Sequence, residues 1–167
     1  MKQVSLLGMN SGALFSPCER YRYRLWRRWS DEKAALFVML NPSTADDTTN
    51  DSTVERCQRR ALAMGYGAIE VVNIFALRST DPDVLYATVD PVGPDNDRAI
   101  ADAAKQAAIV ICGWGTHGAL KGRGLAVLDM IRTAGIVPHA LKVNADGSPA
   151  HPLYLKYVLQ PVPMVFA

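Results

Sequence analysis

Short apolar runs alternate with helical segments along most of the chain, and this alternation limits the folds that the chain can adopt. The first run, residues 34–40, is uninterrupted and stops at Asn41. Uninterrupted apolar runs are typical of strands that are covered on both faces. The alternation predicts right-handed crossovers and a short parallel sheet flanked by helices. The strands are predicted at 34–40, 68–75, 108–114 and 138–143, and the helices at 52–64, 95–107 and 119–134.

Two further strands are predicted ahead of this alternation, at 4–8 and 21–29. In the second of them apolar and basic residues alternate, as in a strand with one buried face and one solvated face. The apolar set is Tyr21, Tyr23 and Leu25, and the basic set is Arg20, Arg22 and Arg24. We therefore expect an N-terminal antiparallel strand pair with its arginines facing outwards.

The composition is consistent with one α/β domain over residues 1–167. Hydrophobic residues make up 49% of the chain, and no repeat, low-complexity run or linker divides it. No apolar stretch approaches the roughly 18 residues that a membrane helix needs, and the first residues do not resemble a secretory signal. We therefore expect a cytoplasmic protein that has no contact with a membrane. The apolar segment 161–167 is expected to lie on the surface.

Several enzyme classes lack their usual sequence motifs here. The chain contains no GxGxxG, GxxxxGK[ST], GxSxG or HExxH motif, which argues against dinucleotide enzymes, P-loop enzymes, nucleophile-elbow hydrolases and zincins. Its three cysteines have no CxxC spacing, so neither a disulfide framework nor a zinc or iron–sulfur site is indicated. We expect no metal and no cofactor.

Polar residues follow all four predicted parallel strands. Asn41 follows the first and Asn73 lies in the second, near its end; His117 follows the third, after Trp114-Gly115, and His151 follows the fourth. Ligands bind at the carboxyl ends of the strands in open α/β sheets, so the recurrence of amides and imidazoles there predicts a functional cleft. Taken singly, each residue also has a structural interpretation, such as a turn opener, a loop tie or a solvated helix start.

The acidic loop 45–51 contains Asp46, Asp47 and Asp51. These carboxylates could activate water, bind a divalent ion, or serve as turn and cap acceptors, and capping is favoured for Asp51. Ser52 and Glu55 have capping-box spacing for the following helix. The turn-rich connection from residue 78 to 96 is long enough to gate the cleft or hold substrate.

Six short motifs follow one another along the chain: LNPSTAD at 40–46, ND at 50–51, NIFALR at 73–78, DPVG at 90–93, WG at 114–115 and HPLYL at 151–155. In sequence and order they resemble a family of small bacterial proteins of long-unassigned function, and the resemblance covers most of residues 36–155. Their order also resembles, more remotely, the uracil-DNA glycosylase superfamily and its mismatch-specific branch. There a strand ends in an Asn-Pro loop, a later strand ends in a base-reading Asn, another runs into Trp-Gly, and the last precedes a His-Pro loop. This resemblance implies a three-layer sandwich.

The same resemblance implies roles for the matching residues. Asn41 corresponds to the residue that positions or activates the attacking water, Asn73 to the amide that reads the flipped base, and His151 to the imidazole near the departing base. Phe75 is a candidate for stacking on that base. Because an amide does not accept a proton near neutral pH, we expect slow chemistry or help from Asp46 or Asp47.

Ser43 bears on which base is bound. In uracil-specific members of the superfamily the corresponding loop carries a bulky aromatic residue against the C5 edge of the pyrimidine. Ser43 is far smaller, so a C5-substituted pyrimidine is expected to fit, including the hypermodified bases of some phage DNA, as a phage-defence enzyme would need. The alternative is that Ser43 only caps the turn after Pro42.

The sequence thus predicts a monofunctional DNA glycosylase that acts on a damaged or modified base, with DNA as its partner and no obligate protein partner. The expected DNA contacts are Arg22, Arg24, Arg78 and His117, although the net charge is only +2. The His-Pro loop continues as HPLYL where a serine-rich, phosphate-holding segment is usual, which weakens the DNA assignment. Two alternatives remain open: a hydrolase or transferase acting on a free nucleoside or nucleotide, and a non-catalytic nucleic-acid-binding module.

Overall fold

A computed structural model describes residues 2–6 and 9–165 of the protein. The described strands are β1 (Lys2–Leu6), β2 (Met9–Phe15), β3 (Arg22–Arg28), β4 (Ala34–Met39), β5 (Ala68–Asn73), β6 (Ile109–Cys112), β7 (Pro138–Ala140) and β8 (Val162–Pro163). The described helices are α1 (Ser52–Ala63), α2 (Asp83–Ala87), α3 (Asn96–Gln106) and α4 (Arg123–Thr133), with 3-10 helices at Thr116–Gly122 and Pro152–Tyr154. The predicted α/β class is confirmed. Within the described ranges no helix is long and apolar enough to cross a membrane.

The described strands form one mixed sheet in the order β1-β2-β3-β5-β4-β6-β7-β8. Its centre, β5-β4-β6-β7, is parallel, as predicted. The chain leaves β4 through α1 to reach β5 on one side, and it then returns through α3 to β6 on the other side. This reversal makes the carboxyl end of β4 a switch point, where open α/β sheets bind their ligands.

Strand β4 is buried on both faces. Ala35 and Phe37 pack against the apolar side of α1, whereas Leu36 and Val38 pack with residues of α3 and α4 on the opposite face. This explains the uninterrupted apolar run, since both faces must be apolar when helices cover both. The sheet therefore lies between two helical layers. The finer likeness to a uracil-DNA-glycosylase sandwich stays a prediction.

The N-terminal part has a strand that was not predicted. Strand β2 lies between β1 and β3, and β3 also pairs antiparallel with β5, so the expected two-stranded unit is part of a larger antiparallel region. The sequence has no recognisable strand pattern at β2, because it contains the poor strand formers Asn10, Ser11 and Gly12. Gly12 is required because an added Cβ would lie 2.3 Å from the Trp26 ring. Residues 7 and 8 of the predicted strand 4–8 lie outside the described residues.

A β-bulge in β3 corrects the predicted orientation of its arginines. Leu14 pairs with Arg24 and Phe15 with Arg22, so Tyr23 is an extra residue. A bulge interrupts the alternation of side chains. Tyr23 and Arg24 consequently line one groove beside α3, and Arg22 turns towards the opposite face and is buried. The expectation that Arg22 faces solvent is wrong for this reason.

Several element boundaries also differ from the predictions. Helix α1 begins at Ser52 as predicted, but its N-cap is Asp51 and not Ser52 of the predicted capping box, because Asp51 Oδ1 accepts from the Val54 N–H at 2.9 Å. The favoured capping role of Asp51 is thus confirmed. Helix α4 begins at Arg123 instead of residue 119, because Lys121 and Gly122 have positive φ angles of 55° and 64°. The short elements α2 and β8 were not predicted; β8 is an exposed edge strand within the expected surface segment.

Candidate functional site

Polar side chains from five separate segments surround a small cleft at the carboxyl edge of the parallel strands. We call it the Asn41 cleft, and it encloses about 40 Å³. That volume has room for a few water molecules, since one needs roughly 10–15 Å³. Four residues predicted from the sequence line it, and two further charged residues join them: Asn41, Ser43, Asn73 and His151, with Arg22 and Asp51.

Asn41 follows β4, and its loop is fixed to the loop after β5. Its Nδ2 donates to the Ser79 carbonyl at 2.8 Å and to the Pro42 carbonyl at 3.2 Å, while the Ser79 N–H donates to the Pro42 carbonyl at 2.9 Å. These bonds commit the donor side of the amide to the backbone. Within the described residues no donor contacts Asn41 Oδ1, which is therefore available to accept a hydrogen bond from water.

Asn73 is the last residue of β5 and is 2% exposed. Its Nδ2 has no hydrogen-bond partner among the described residues. The backbone around it is well held, because Asn96 Nδ2 donates to the Asn73 carbonyl at 2.8 Å and Arg123 Nε donates to the Ile74 carbonyl at 2.7 Å. A buried donor without a partner is costly, so this amide is suited to an acceptor that a ligand brings.

His151 is half-buried and precedes the 3-10 helix Pro152–Tyr154. Burial lowers its pKa below the ordinary value of 6.5, and the Asp51 carboxylate partly offsets this effect. The ring is therefore neutral at physiological pH. Its Nδ1 accepts a hydrogen bond from the Leu153 N–H at 3.2 Å, which leaves the proton of the neutral ring on Nε2. His151 is thus a neutral donor at Nε2.

Capping was the favoured role of Asp51 from the sequence, with water activation and ion binding as alternatives, and the structure adds a place in the cleft. One carboxylate oxygen caps α1, the other accepts from the Ala45 N–H at 3.4 Å, and the side chain lines the Asn41 cleft. Only the fold shows that Asp51 and Thr53 both line the cleft.

Arg22 is the second residue whose place in the cleft was missed. Its side chain is 2% exposed, and its Nη1 donates to the Ala45 carbonyl at 2.9 Å. Its Nε has no partner among the described residues. Burial lowers the pKa of Arg22 to about 10, against the opposing effect of Asp51, so the guanidinium stays charged near neutral pH.

Asp46 lies outside the cleft, contrary to its predicted catalytic role. Its Oδ1 accepts from the Thr48 and Thr49 N–H groups at 3.0 and 2.8 Å, which holds the pKa of Asp46 below its usual range. The loop is fixed by buried Arg27, whose Nη2 donates to the Asp46 carbonyl at 2.6 Å and whose Nε donates to Asn50 at 2.9 Å. Asp46 therefore shapes the loop, and Asp51 is the carboxylate in the cleft.

Phe75 does not line the cleft either. It is fully buried in the apolar cluster on the α3 and α4 face, beside Ile74 and Leu85. Its backbone is fixed to the end of the β4 segment, because the Phe75 N–H donates to the Leu40 carbonyl at 3.0 Å. Its predicted stacking on a base is therefore wrong.

Of the four predicted DNA contacts, Arg22 is buried and Arg24 is paired with an acidic residue. Arg78 and His117 are partly exposed. Arg24 forms an ion pair with Glu70 and also donates to Gln106 at 3.3 Å. Arg78 is partly exposed; it packs over the Phe15 ring at 4.7 Å and donates to the Glu19 carbonyl at 3.0 Å. His117 is partly exposed too, and its Nδ1 lies 3.0 Å from the Tyr86 hydroxyl. DNA binding by Arg78 and His117 stays a prediction.

The Trp-Gly motif supports the loop that carries His151. An added Cβ on Gly113 would lie 3.0 Å from the Pro152 ring, and Gly115 has a positive φ of 72° and an ideal Cβ position 4.0 Å from the His151 Cβ. Trp114 is buried, and its ring packs against Gly118 and Gly124. The glycines are therefore explained by close packing with the His-Pro turn, and the tryptophan by packing against the start of α4.

A larger hollow of about 350 Å³ lies on the other side of Trp114, bounded by α4 and the 146–149 turn. Its lining is mostly apolar or glycine, and its one carboxylate, Asp146, accepts from Ser148 Oγ at 2.6 Å. It offers no arrangement of polar groups comparable with the Asn41 cleft, so the smaller site is the better candidate for a functional site. Among residues 2–6 and 9–165, no group of three His, Cys, Asp or Glu residues could hold a metal ion.

One family model matches residues 22–153, and its description is protein of unknown function, DUF1643. The chain belongs to this family. No curated protein and no solved structure matches it. The family match begins at Arg22 and extends past His151. It therefore contains all the polar residues that line the Asn41 cleft of this DUF1643 protein.

Proposed function

We propose that this protein hydrolyses the N-glycosidic bond of a modified base in DNA, with the base rotated out of the stack into the Asn41 cleft. The observation that carries the proposal is the buried, unpartnered Nδ2 of Asn73 in a cleft that Asn41 and His151 also line. Enzymes that act on a base in DNA extract it from the stack and bind its polar edge by hydrogen bonds. Asn73 can offer such a bond without giving up one within the protein.

Asn41 and Asp51 prepare the water. Asn41 Oδ1 accepts a hydrogen bond from the water and directs its oxygen at the sugar C1′ atom. The C1′–N bond breaks with its electron pair staying on the base, and the water oxygen bonds to C1′. Asp51 takes the proton that the water loses, a role for which an amide is unsuited. Asp51 replaces Asp46 here because only Asp51 lines the cleft.

His151 acts on the departing base. The Nε2–H of its neutral ring donates to a base oxygen on which negative charge develops as the bond breaks. Loss of one such donor typically lowers kcat by about 10²–10³-fold. The base receives its final proton from solvent after it leaves.

The base is proposed to be a C5-substituted pyrimidine. Ser43 lines the cleft with a small side chain, and the enclosed volume of about 40 Å³ suits the edge of a ring and a substituent better than a whole ring. The rest of the ring occupies the mouth. A hypermodified base of phage DNA has the substituent that this arrangement favours, which is consistent with a role in phage defence.

The experiment is a base-release assay on oligonucleotides that carry uracil, thymine, 5-hydroxymethyluracil or 5-hydroxymethylcytosine, and on hypermodified phage DNA. Alkaline cleavage should reveal strand breaks with the wild-type protein, and Asn41→Ala should reduce them by about 10²-fold or more. Thr44→Ala is the matched control, because Thr44 is exposed in the same loop. Absence of breaks with every substrate would remove the proposal.

A free nucleoside or nucleotide is the second candidate substrate. It is favoured by the loss of two predicted DNA contacts, since Arg22 is buried and Arg24 is paired with Glu70. The same residues would then act on a base that is not attached to a strand. Mass spectrometry of a nucleoside and nucleotide pool after incubation distinguishes the two, because only this candidate predicts free base from the pool and none from DNA.

A further inference from the structure

The proposed reaction develops negative charge on the departing base, and Asp51 and His151 do not neutralise that charge. A base that departs with the electron pair of the broken bond is an anion until it is protonated. Asp51 already places a carboxylate at the cleft, and His151 is neutral there because burial lowers its pKa. A developing anion close to a carboxylate is disfavoured unless a cation lies near it.

Arg22 is the one cation among the described residues that line the cleft. It lies at the start of β3, and because β3 is antiparallel to β5, this position is at the edge where the parallel strands end. The bulge at Tyr23 turns it inwards, and its Nη1 is held on the Ala45 carbonyl at 2.9 Å. The fixed guanidinium needs no rearrangement to act on a ligand.

The Nε–H of Arg22 has no partner, and neither does the nearby amide of Asn73; both side chains are 2% exposed. Two buried donors without acceptors in one small cleft indicate a ligand with more than one acceptor atom. A pyrimidine-2,4-dione has two carbonyl oxygens, and its anion spreads negative charge over both of them and over the ring nitrogens.

We propose that Arg22 contacts the departing base and stabilises its negative charge, so that the protein is selective for pyrimidines that carry carbonyl oxygens and leave as anions. This inference rests on the proposed function and adds a residue to it. Asn73 then reads one acceptor, Arg22 neutralises the charge, and His151 donates from its neutral ring. Arg22 therefore has a catalytic role in this proposal, whereas the sequence predicted that it contacts DNA.

The test is the dependence of the rate on the acidity of the leaving base. Single-turnover release is measured for 5-fluorouracil, uracil, 5-formyluracil and 5-hydroxymethyluracil in one oligonucleotide sequence. Arg22→Gln should reduce release of the least acidic base by about 10²–10³-fold and release of the most acidic base much less, because an acidic base needs less help to bear the charge. The plot of log rate against base pKa therefore becomes steeper in the variant.

Arg24→Gln is the matched control, since Arg24 lies two residues away and is paired with Glu70 outside the cleft. Its slope should equal that of the wild-type protein. If Arg22→Gln has the wild-type slope, Arg22 has a structural role only and this inference is overturned, while the proposed function stands. If the wild-type protein releases no base at all, both are overturned.

A second measurement does not depend on the folding of a variant. Calorimetric titration of the wild-type protein with free bases at one pH should give tighter binding of 5-fluorouracil than of uracil, in proportion to the larger anionic fraction of 5-fluorouracil. Equal dissociation constants would overturn the assignment of the charge to Arg22.

Discussion

At the scale of single residues, side chains of the Asn41 cleft combine structural and chemical roles. Asp51 caps α1 and lines the cleft, and Asn41 ties two loops with its Nδ2 while its Oδ1 remains free to accept. A substitution is informative only if it removes the chemical role of a side chain and leaves its structural role intact. An isosteric replacement at Asp51 does this.

Asp51→Asn removes the carboxylate and keeps the cap, because Asn is as good an N-cap as Asp. We expect the melting temperature to stay close to that of the wild-type protein while base release falls by about 10²-fold. Asp51→Ala should lose the cap as well, at about 1 kcal/mol of unfolding free energy. Thermal melts and single-turnover rates of both variants provide the measurement, and full activity of Asp51→Asn would rule out its role as proton acceptor.

His151 makes stability depend on pH in a way that does not require the enzyme to be active. Its pKa is lowered in the folded protein, so below the ordinary value of 6.5 the unfolded chain binds a proton that the folded protein does not. The free energy of unfolding should therefore fall as the pH drops below 6.5, until the folded ring also protonates. Denaturant titrations at a series of pH values should show this fall reduced in His151→Gln. Parallel curves for the two proteins would contradict the lowered pKa.

At the scale of elements, α1 connects the two sides of the cleft. Its N-terminus carries Asp51, and its buried Arg60 holds the segment that follows His151. Arg60 donates to the Leu155 carbonyl at 2.6 Å and to the Lys156 carbonyl at 3.0 Å, and its guanidinium lies 4.9 Å from the centre of the Tyr157 ring. Helix α1 thus fixes the His-Pro turn from below.

Arg60→Gln should loosen this turn. Loss of charged hydrogen bonds to two carbonyls is expected to lower the free energy of unfolding by about 1.5–3 kcal/mol and to speed hydrogen exchange over residues 152–159. Arg59→Gln is the control on the same helix, because Arg59 is exposed and pairs with Glu55 one turn away, a contact worth about 0.5 kcal/mol or less. Equal exchange rates in the two variants would show that Arg60 does not hold the turn.

At the scale of the whole molecule, the sequence pattern predicted the elements whose burial is simple. The strands β4, β5 and β6 are covered on both faces and read as apolar runs, and parallel pairing followed from the intervening helices. The pattern also placed Asn41, Asn73 and His151 at one edge. Strand β2 was missed because pairing with β3, and not its own propensity, makes it a strand.

The rest of the site could not be predicted because it depends on long-range geometry. Arg22 faces the cleft because of a bulge that follows from its pairing with β2, a strand absent from the prediction. Asp51 had a sufficient local explanation as a cap, and Phe75 had no local signal that the turn after β5 would bury it. Each error arose where tertiary contacts override a local pattern.

The most direct measurement is mass spectrometry of the products formed from modified DNA in water enriched in oxygen-18. Attack of water on the sugar C1′ atom predicts an intact free base without the heavy isotope, together with an abasic strand, and Asn73→Ala should lower the yield by about tenfold or more. A base that carries the label would show attack on the ring, and the absence of any free base from DNA or nucleosides would show that the Asn41 cleft does not break this bond.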